Sequence, residues 1–148
     1  MAEPKPLYSV MRQFYKQKME RLLNRRFTRT IDGKKVSVSF SRYGNKHLYS
    51  DAERRSKTLQ RSDILDMDNI FAGSKYHSSA ELSKKRKDNI VKFHYFETKL
   101  HGNAVFLNIG EQTYNIKRRD GTTQERKRYI VYSVTDRIRA EKKKKARS

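Results

Sequence analysis

Cysteine is absent from the 148 residues. That excludes disulfide scaffolds, thiol nucleophiles and cysteine-based zinc sites, and it leaves the compartment open. No apolar run approaches the roughly 20 residues a membrane-spanning helix needs. Met1 to Arg12 is broken by charges and two prolines and contains no signal-peptide core. Acidic residues are sparse, and no carboxylates cluster as a two-metal nuclease requires. The four histidines, His47, His77, His94 and His101, show no i, i+4 pair and no HExxH. Walker-type and GxGxxG phosphate loops are missing, as are serine-hydrolase elbows. No cofactor is therefore expected. What the chain does contain is positive charge: 36 Lys and Arg against 16 Asp and Glu, a formal +20. With 34% hydrophobic and 35% charged residues, a small core and a large solvated surface are expected. A domain this basic is suited to a polyanion, and nucleic acid is the first candidate.

The length suits one domain. Residues 1–136 read as a single basic α+β domain, with helices packed on a central antiparallel sheet. Residues 137–148 read as a basic tail with seven cations and one acid. Leu7 to Phe27 has helical spacing of apolar residues, Phe14 among them, behind an extended lead-in set by Pro4 and Pro6. Phe27 to Ile31 and Val36 to Phe40 flank Asp32-Gly33 and predict a hairpin. Short helices are expected from Leu48 towards Leu59 and over Ile64 to Ala72, the second capped by Ser62 or Asp63. Ser74 to Asn89 has little apolar periodicity and reads as a loop or surface helix. Val91 to Leu100, Ala104 to Ile109, Gln112 to Lys117 and Arg128 to Thr135 read as an antiparallel meander of three or four strands. Its turns fall at His101-Gly102 and Asp120-Gly121.

Acid–base chemistry by His, Lys, Arg and hydroxyls remains open, and it suits RNA cleavage without a metal. The substrate supplies its own nucleophile, the 2′-OH. The enzyme then has to move two protons and stabilise charge on the phosphoryl oxygens. Lys46-His47 is the leading candidate, placed by the sequence at the start of a short helix whose N–H groups would favour a phosphate, with Arg42 close before it. The alternative is a solvent-exposed His in a basic loop. His94 alternates with Phe96 and Thr98, opposite Phe93 and Tyr95. Packing favours a structural histidine satisfied by a neighbour there, with catalysis as the other reading. Ser133 and Thr135 fall on one strand face with Val131, either as phosphate ligands or as cover for a half-exposed sheet. Tyr132 falls on the opposite face. Asn108 needs a partner and is either a hydrogen-bond anchor or a substrate contact.

Gly44-Asn45-Lys46-His47, the strand Phe93-His94-Tyr95-Phe96-Glu97, Val105-Phe106-Leu107-Asn108 and the run from Tyr129 to Thr135 together resemble toxin and phage-associated domains. Those domains belong to the superfamily that gathers barnase, EndoU, the tRNA-cleaving colicins and RelE. The resemblance covers Arg42 to Asp136 and leaves the first helix and hairpin unaccounted for. It implies an α+β fold, metal-independent ribonuclease activity with tRNA among the substrates, and an acidic immunity protein as partner. It also implies delivery as an effector into a target-cell cytoplasm. Carried onto this chain, it assigns catalysis to His47, Lys46, Ser133, Thr135 and, less directly, His94. Arg42, Asn108 and Tyr132 are candidates for RNA or phosphate contact. A non-enzymatic RNA- or DNA-binding module, ribosome-associated or part of a phage structure, accounts equally well for the charge.

Overall fold

The computed structural model describes residues 4–23, 25–52, 58–82 and 84–138. A long helix, α1 (Pro4–Leu22), leads into the hairpin β1 (Arg26–Ile31) and β2 (Lys34–Phe40). Three short helices follow: α2 (Arg42–Ser50), α3 (Arg61–Ile64) and α4 (Met67–Ala72). The chain closes with β3 (Lys75–Glu81), β4 (Ile90–Leu100), β5 (Asn103–Lys117) and β6 (Thr123–Thr135). The strands form one sheet in the order β1-β2-β6-β5-β4-β3, strongly curled into a half-barrel. No described helix is long and apolar enough to cross a membrane.

The α+β class is as expected, but the sheet has six strands and is mixed. β3 to β6 are antiparallel neighbours, whereas β2 joins β6 in parallel through Val38, Ser39 and Phe40. The first hairpin therefore docks on the meander and extends it. β3 escapes a reading by periodicity because it is an edge strand, flanked by one neighbour and ended by Lys75 and Glu81. Three turns match their sequence signals. Asp32 and Gly33 (φ 51° and 80°) and His101 and Gly102 (φ 53° and 82°) are pairs in the left-handed region, as tight hairpins require. Asp120-Gly121 closes the longer one.

The helices differ from expectation in their limits. α1 begins at Pro4, so the prolines occupy its first turn, where a missing N–H costs nothing. Phe27 belongs to β1. Tyr15, Met19 and Leu22 form the buried stripe, whereas Phe14 is exposed. The helix expected from Leu48 towards Leu59 is met only by the end of α2, which begins at Arg42, where Ser41 accepts the Gly44 N–H at 3.0 Å and caps it, and ends at Ser50; residues 53–57 lie outside the described residues. The single helix expected over 64–72 is two, α3 and α4, and Gln60 precedes the first. Asp63 is not the cap, but its carboxylate accepts the Gln60 N–H at 2.8 Å. The basic tail beyond residue 138 lies outside the described residues.

The main core packs α1, α2, α3 and α4 against one sheet face through Leu22, Leu48, Ile64, Phe71, Leu107 and Val131. Phe71 meets Phe27, Phe40 and Phe96 edge-on at 5.3, 6.3 and 5.5 Å. The other face carries a smaller cluster of Ile90, Phe93, Tyr95 and Ile130.

Candidate functional site

The site is created where β2 leaves the sheet. Its pairing with β6 stops at Phe40 and Val131, so the rest of β6 has an open edge. α2 runs along that edge. Asp51, just past its end and 3% exposed, accepts the Val134 N–H at 2.9 Å, which satisfies a donor the sheet leaves unpaired. Gly44 allows the close approach, since a Cβ there would lie 2.0 Å from the Val131 carbonyl oxygen. Asn45 Nδ2 ties the same turn to the Met19 carbonyl at 3.1 Å.

With α2 locked down, His47 stacks on Tyr132, ring centroids 4.3 Å apart at 30°. Tyr43 stands edge-on to His47 at 4.9 Å, and Phe93 lies 5.3 Å from Tyr132, tilted at 53°. Tyr132 reaches this position through a β-bulge. Asn108 faces Ser133 but Ile109 faces Val131, so Tyr132 is the extra residue on β6. The bulge interrupts the alternation that would point Tyr132 away from Ser133. Both line a cleft of about 1060 Å³, with His47, Arg86, Asn108 and Thr135.

Arg86 supplies the positive charge. Its Nε and Nη2 donate to Asp88 at 3.0 and 2.8 Å, and Nη2 also donates to the Tyr132 hydroxyl at 2.9 Å. The guanidinium lies 5.5 and 5.4 Å from the Phe93 and Tyr132 ring centroids. Its pKa is raised, first by the Asp88 hydrogen bonds, which outweigh the effect of burial. Among the described residues Nη1 has no hydrogen-bond partner, which leaves its donors for a ligand. Burial disfavours the charged form of Asp88, but Arg86, the Ile90 N–H and Tyr43 overcome it and hold its pKa below the usual carboxylate value. Tyr43 donates to Asp88 at 3.0 Å, and its pKa is pushed up to about 12, first by burial and then by Tyr132 and Asp88. The result is a fixed cation braced against a histidine–tyrosine stack. Deeper in the cleft, Asn108 Nδ2 donates to Ser133 Oγ at 2.8 Å and Thr135 Oγ1 approaches Asn108 Oδ1 at 3.5 Å.

The cleft thus brings together His47, Asn108, Tyr132, Ser133 and Thr135 from the sequence candidates. Lys46 and Arg42 are exposed and do not line it; Arg42 pairs with Glu20 at 3.4 Å. His47 lies in the second half of α2, so the helix N-terminus expected to support it is elsewhere. His94 is on the opposite sheet face and 1% exposed, bonded to Ser79 Oγ at 2.6 Å and Glu111 at 3.0 Å. Arg86, Tyr43 and Asp88 were not legible as site residues, because the polar run holding Arg86 and Asp88 has no periodicity.

Residues 8–129 match the family described as large polyvalent protein-associated domain 3. The chain belongs to that family. The match takes in most of α1 and the first hairpin of this large polyvalent protein-associated domain, which the resemblance over Arg42 to Asp136 leaves out. It stops before Tyr132, Ser133 and Thr135, and carries no assignment to the barnase–EndoU–colicin–RelE superfamily. No curated protein and no solved structure matches the domain.

Proposed function

We propose that this domain is an endoribonuclease that cleaves by attack of a 2′-OH on its own phosphate, with no metal in the step. The observation that carries the reading is the meeting of His47, Arg86 and Tyr132 on one wall of the cleft. His47 moves the proton, as base for the 2′-OH or acid for the leaving 5′-oxygen. Arg86 directs its remaining N–H groups at the phosphoryl oxygens, whose charge grows in the transition state. Ser133 and Thr135, held by Asn108, orient the phosphate from a rigid strand. Tyr43, 42% exposed, offers a ring face on which a base can stack. Among the described residues, no three His, Asp or Glu side chains come together as a metal site.

The same proposal includes RNA, tRNA among it, as substrate, an acidic inhibitor covering the cleft, and action in a recipient cytoplasm. Total RNA incubated with the protein in EDTA tests it. Discrete cleavage products that vanish with a folded His47→Ala variant are expected. A strict requirement for a divalent metal would overturn the mechanism, and binding without products would replace the enzyme by an RNA-binding module.

A further inference from the structure

β5 and β6 continue well beyond the sheet that holds them. β4 pairs with β5 only as far as Gln112, and β2 pairs with β6 only from Tyr129 onward. From Thr113↔Lys127 to Lys117↔Thr123, five cross-strand pairs therefore stand as a two-stranded ribbon, about 14 Å from first pair to last. An isolated ribbon of this kind normally needs a hydrophobic face to pack, and here seven of the ten residues are exposed and none is buried. Between Lys117 and Arg128 the chain carries six Lys and Arg against two acids.

The ribbon's two faces differ. Cross-strand pairs share a face, so Gln112↔Arg128, Tyr114↔Arg126 and Ile116↔Gln124 lie together. Gln124 Oε1 accepts from Arg118 at 2.6 Å and from Arg126 at 3.5 Å, which places Arg118 on that face as well. Tyr114 stands among these arginines and is 39% exposed. Counting back along β5 and β6, this face passes through Gly110↔Ile130 to Asn108↔Ser133, the floor of the cleft. The opposite face carries Lys117 and Lys127, and Lys127 is paired with Glu111 at 3.4 Å.

A basic loop joins the two regions. Lys84, Lys85 and Lys87 are exposed around Arg86. The loop is pinned where the ribbon departs, by Gln112 Nε2 donating to the Asp88 carbonyl at 2.6 Å and Thr113 N–H to the Asn89 carbonyl at 3.0 Å.

We propose that the Arg118–Arg126–Arg128 face of the ribbon extends the cleft into a track for single-stranded RNA, on the side of the bond that is cut. This rests on the ribonuclease reading for what happens in the cleft, and on the ribbon alone for the binding. Residues two apart on a strand sit about 7 Å apart, a spacing that lets Arg126 and Arg128 meet successive phosphates of an extended strand. Tyr114 offers a stacking face that only an unpaired base can use, which selects single strands over duplex.

The test compares two double variants of equal charge: Arg126→Gln with Arg128→Gln, and Lys117→Gln with Lys127→Gln. Binding is titrated against salt using labelled 2′-O-methyl RNA of 4 and 14 nucleotides, which has no free 2′-OH to attack. Each phosphate contact on a single strand contributes about 0.7 to the slope of log K against log salt. The arginine pair should reduce the slope by about 1.4 for the long RNA and leave that of the short one unchanged. The lysine pair should change neither. Tyr114→Ala should weaken the long RNA by about tenfold. Equal losses from both pairs, no loss from the arginine pair, or a loss confined to blunt duplex DNA would each overturn the track. Because the probe cannot be cut, a protein that binds it through the ribbon but never cleaves RNA would sink the enzymatic reading and leave the track standing.

Discussion

The two faces of the β4-β5-β6 sheet each carry a histidine in a polar cluster, and they use it differently. On one face His47 stands on α2 over an open cleft, braced by Tyr132 and close to the Arg86 cation. On the other, His94 is sealed between Ser79 and Glu111. The chain of contacts runs on through Tyr76 to Asp32 at one end and to Lys127 at the other. Burial of Glu111 alone would raise its pKa, but His94 and Lys127 hold it below its ordinary value. The contrast shows that residue type does not assign the role. A histidine buried between two strands fixes them to one another, whereas one that lines a cleft lies within reach of a ligand.

The sharpest way to break this contrast is His47→Ala. RNA cleavage, followed on gels, should fall by roughly 10²–10⁴-fold while the circular dichroism spectrum and melting cooperativity stay as in the parent. Next is Gly44→Ala. Its Cβ would run into the Val131 carbonyl, so α2 must shift, costing about 1–3 kcal/mol in urea unfolding and displacing His47.

On the sealed face, Glu111→Gln should cost about 2 kcal/mol at neutral pH and leave cleavage per folded molecule unchanged. The folded-state pKa of Glu111 is depressed, so its contribution is fully present above the unfolded value, near 4.3, and drains away as pH falls through the folded value. The stability gap between parent and variant should therefore begin to narrow below about pH 4.3 and keep narrowing as the pH falls further. Smallest is Tyr132→Phe, which removes one hydrogen bond from Arg86 and keeps the stack. About 1 kcal/mol, a fewfold to tenfold drop in cleavage, is expected from kcat measurements.

Much of the frame was legible because its signals are local. Asp32-Gly33 and His101-Gly102 announce their turns through backbone conformations few other residues adopt. The alternation around His94 separated it correctly from Phe93 and Tyr95. What escaped depends on distant partners. The parallel contact of β2 with β6 leaves no mark in either strand. The bulge at Tyr132 reverses an alternation that is regular in sequence, and it is defined by the register of β5. Arg86 lines the cleft because Tyr132 arrives beside it from a strand 46 residues along the chain. His47 is singled out in the sequence by its basic neighbours, yet Lys46 and Arg42 lie exposed outside the cleft, and the rings beside it are Tyr43 and Tyr132.

The central claim is that the cleft uses the substrate's own 2′-OH. The direct measurement is cleavage of a short RNA containing one scissile site, beside the same strand with a single 2′-deoxy substitution on the 5′ side of that bond. The account predicts a 2′,3′-cyclic phosphate end on the product from the all-RNA strand and no cut in the substituted one. Equal cleavage of both strands would contradict it.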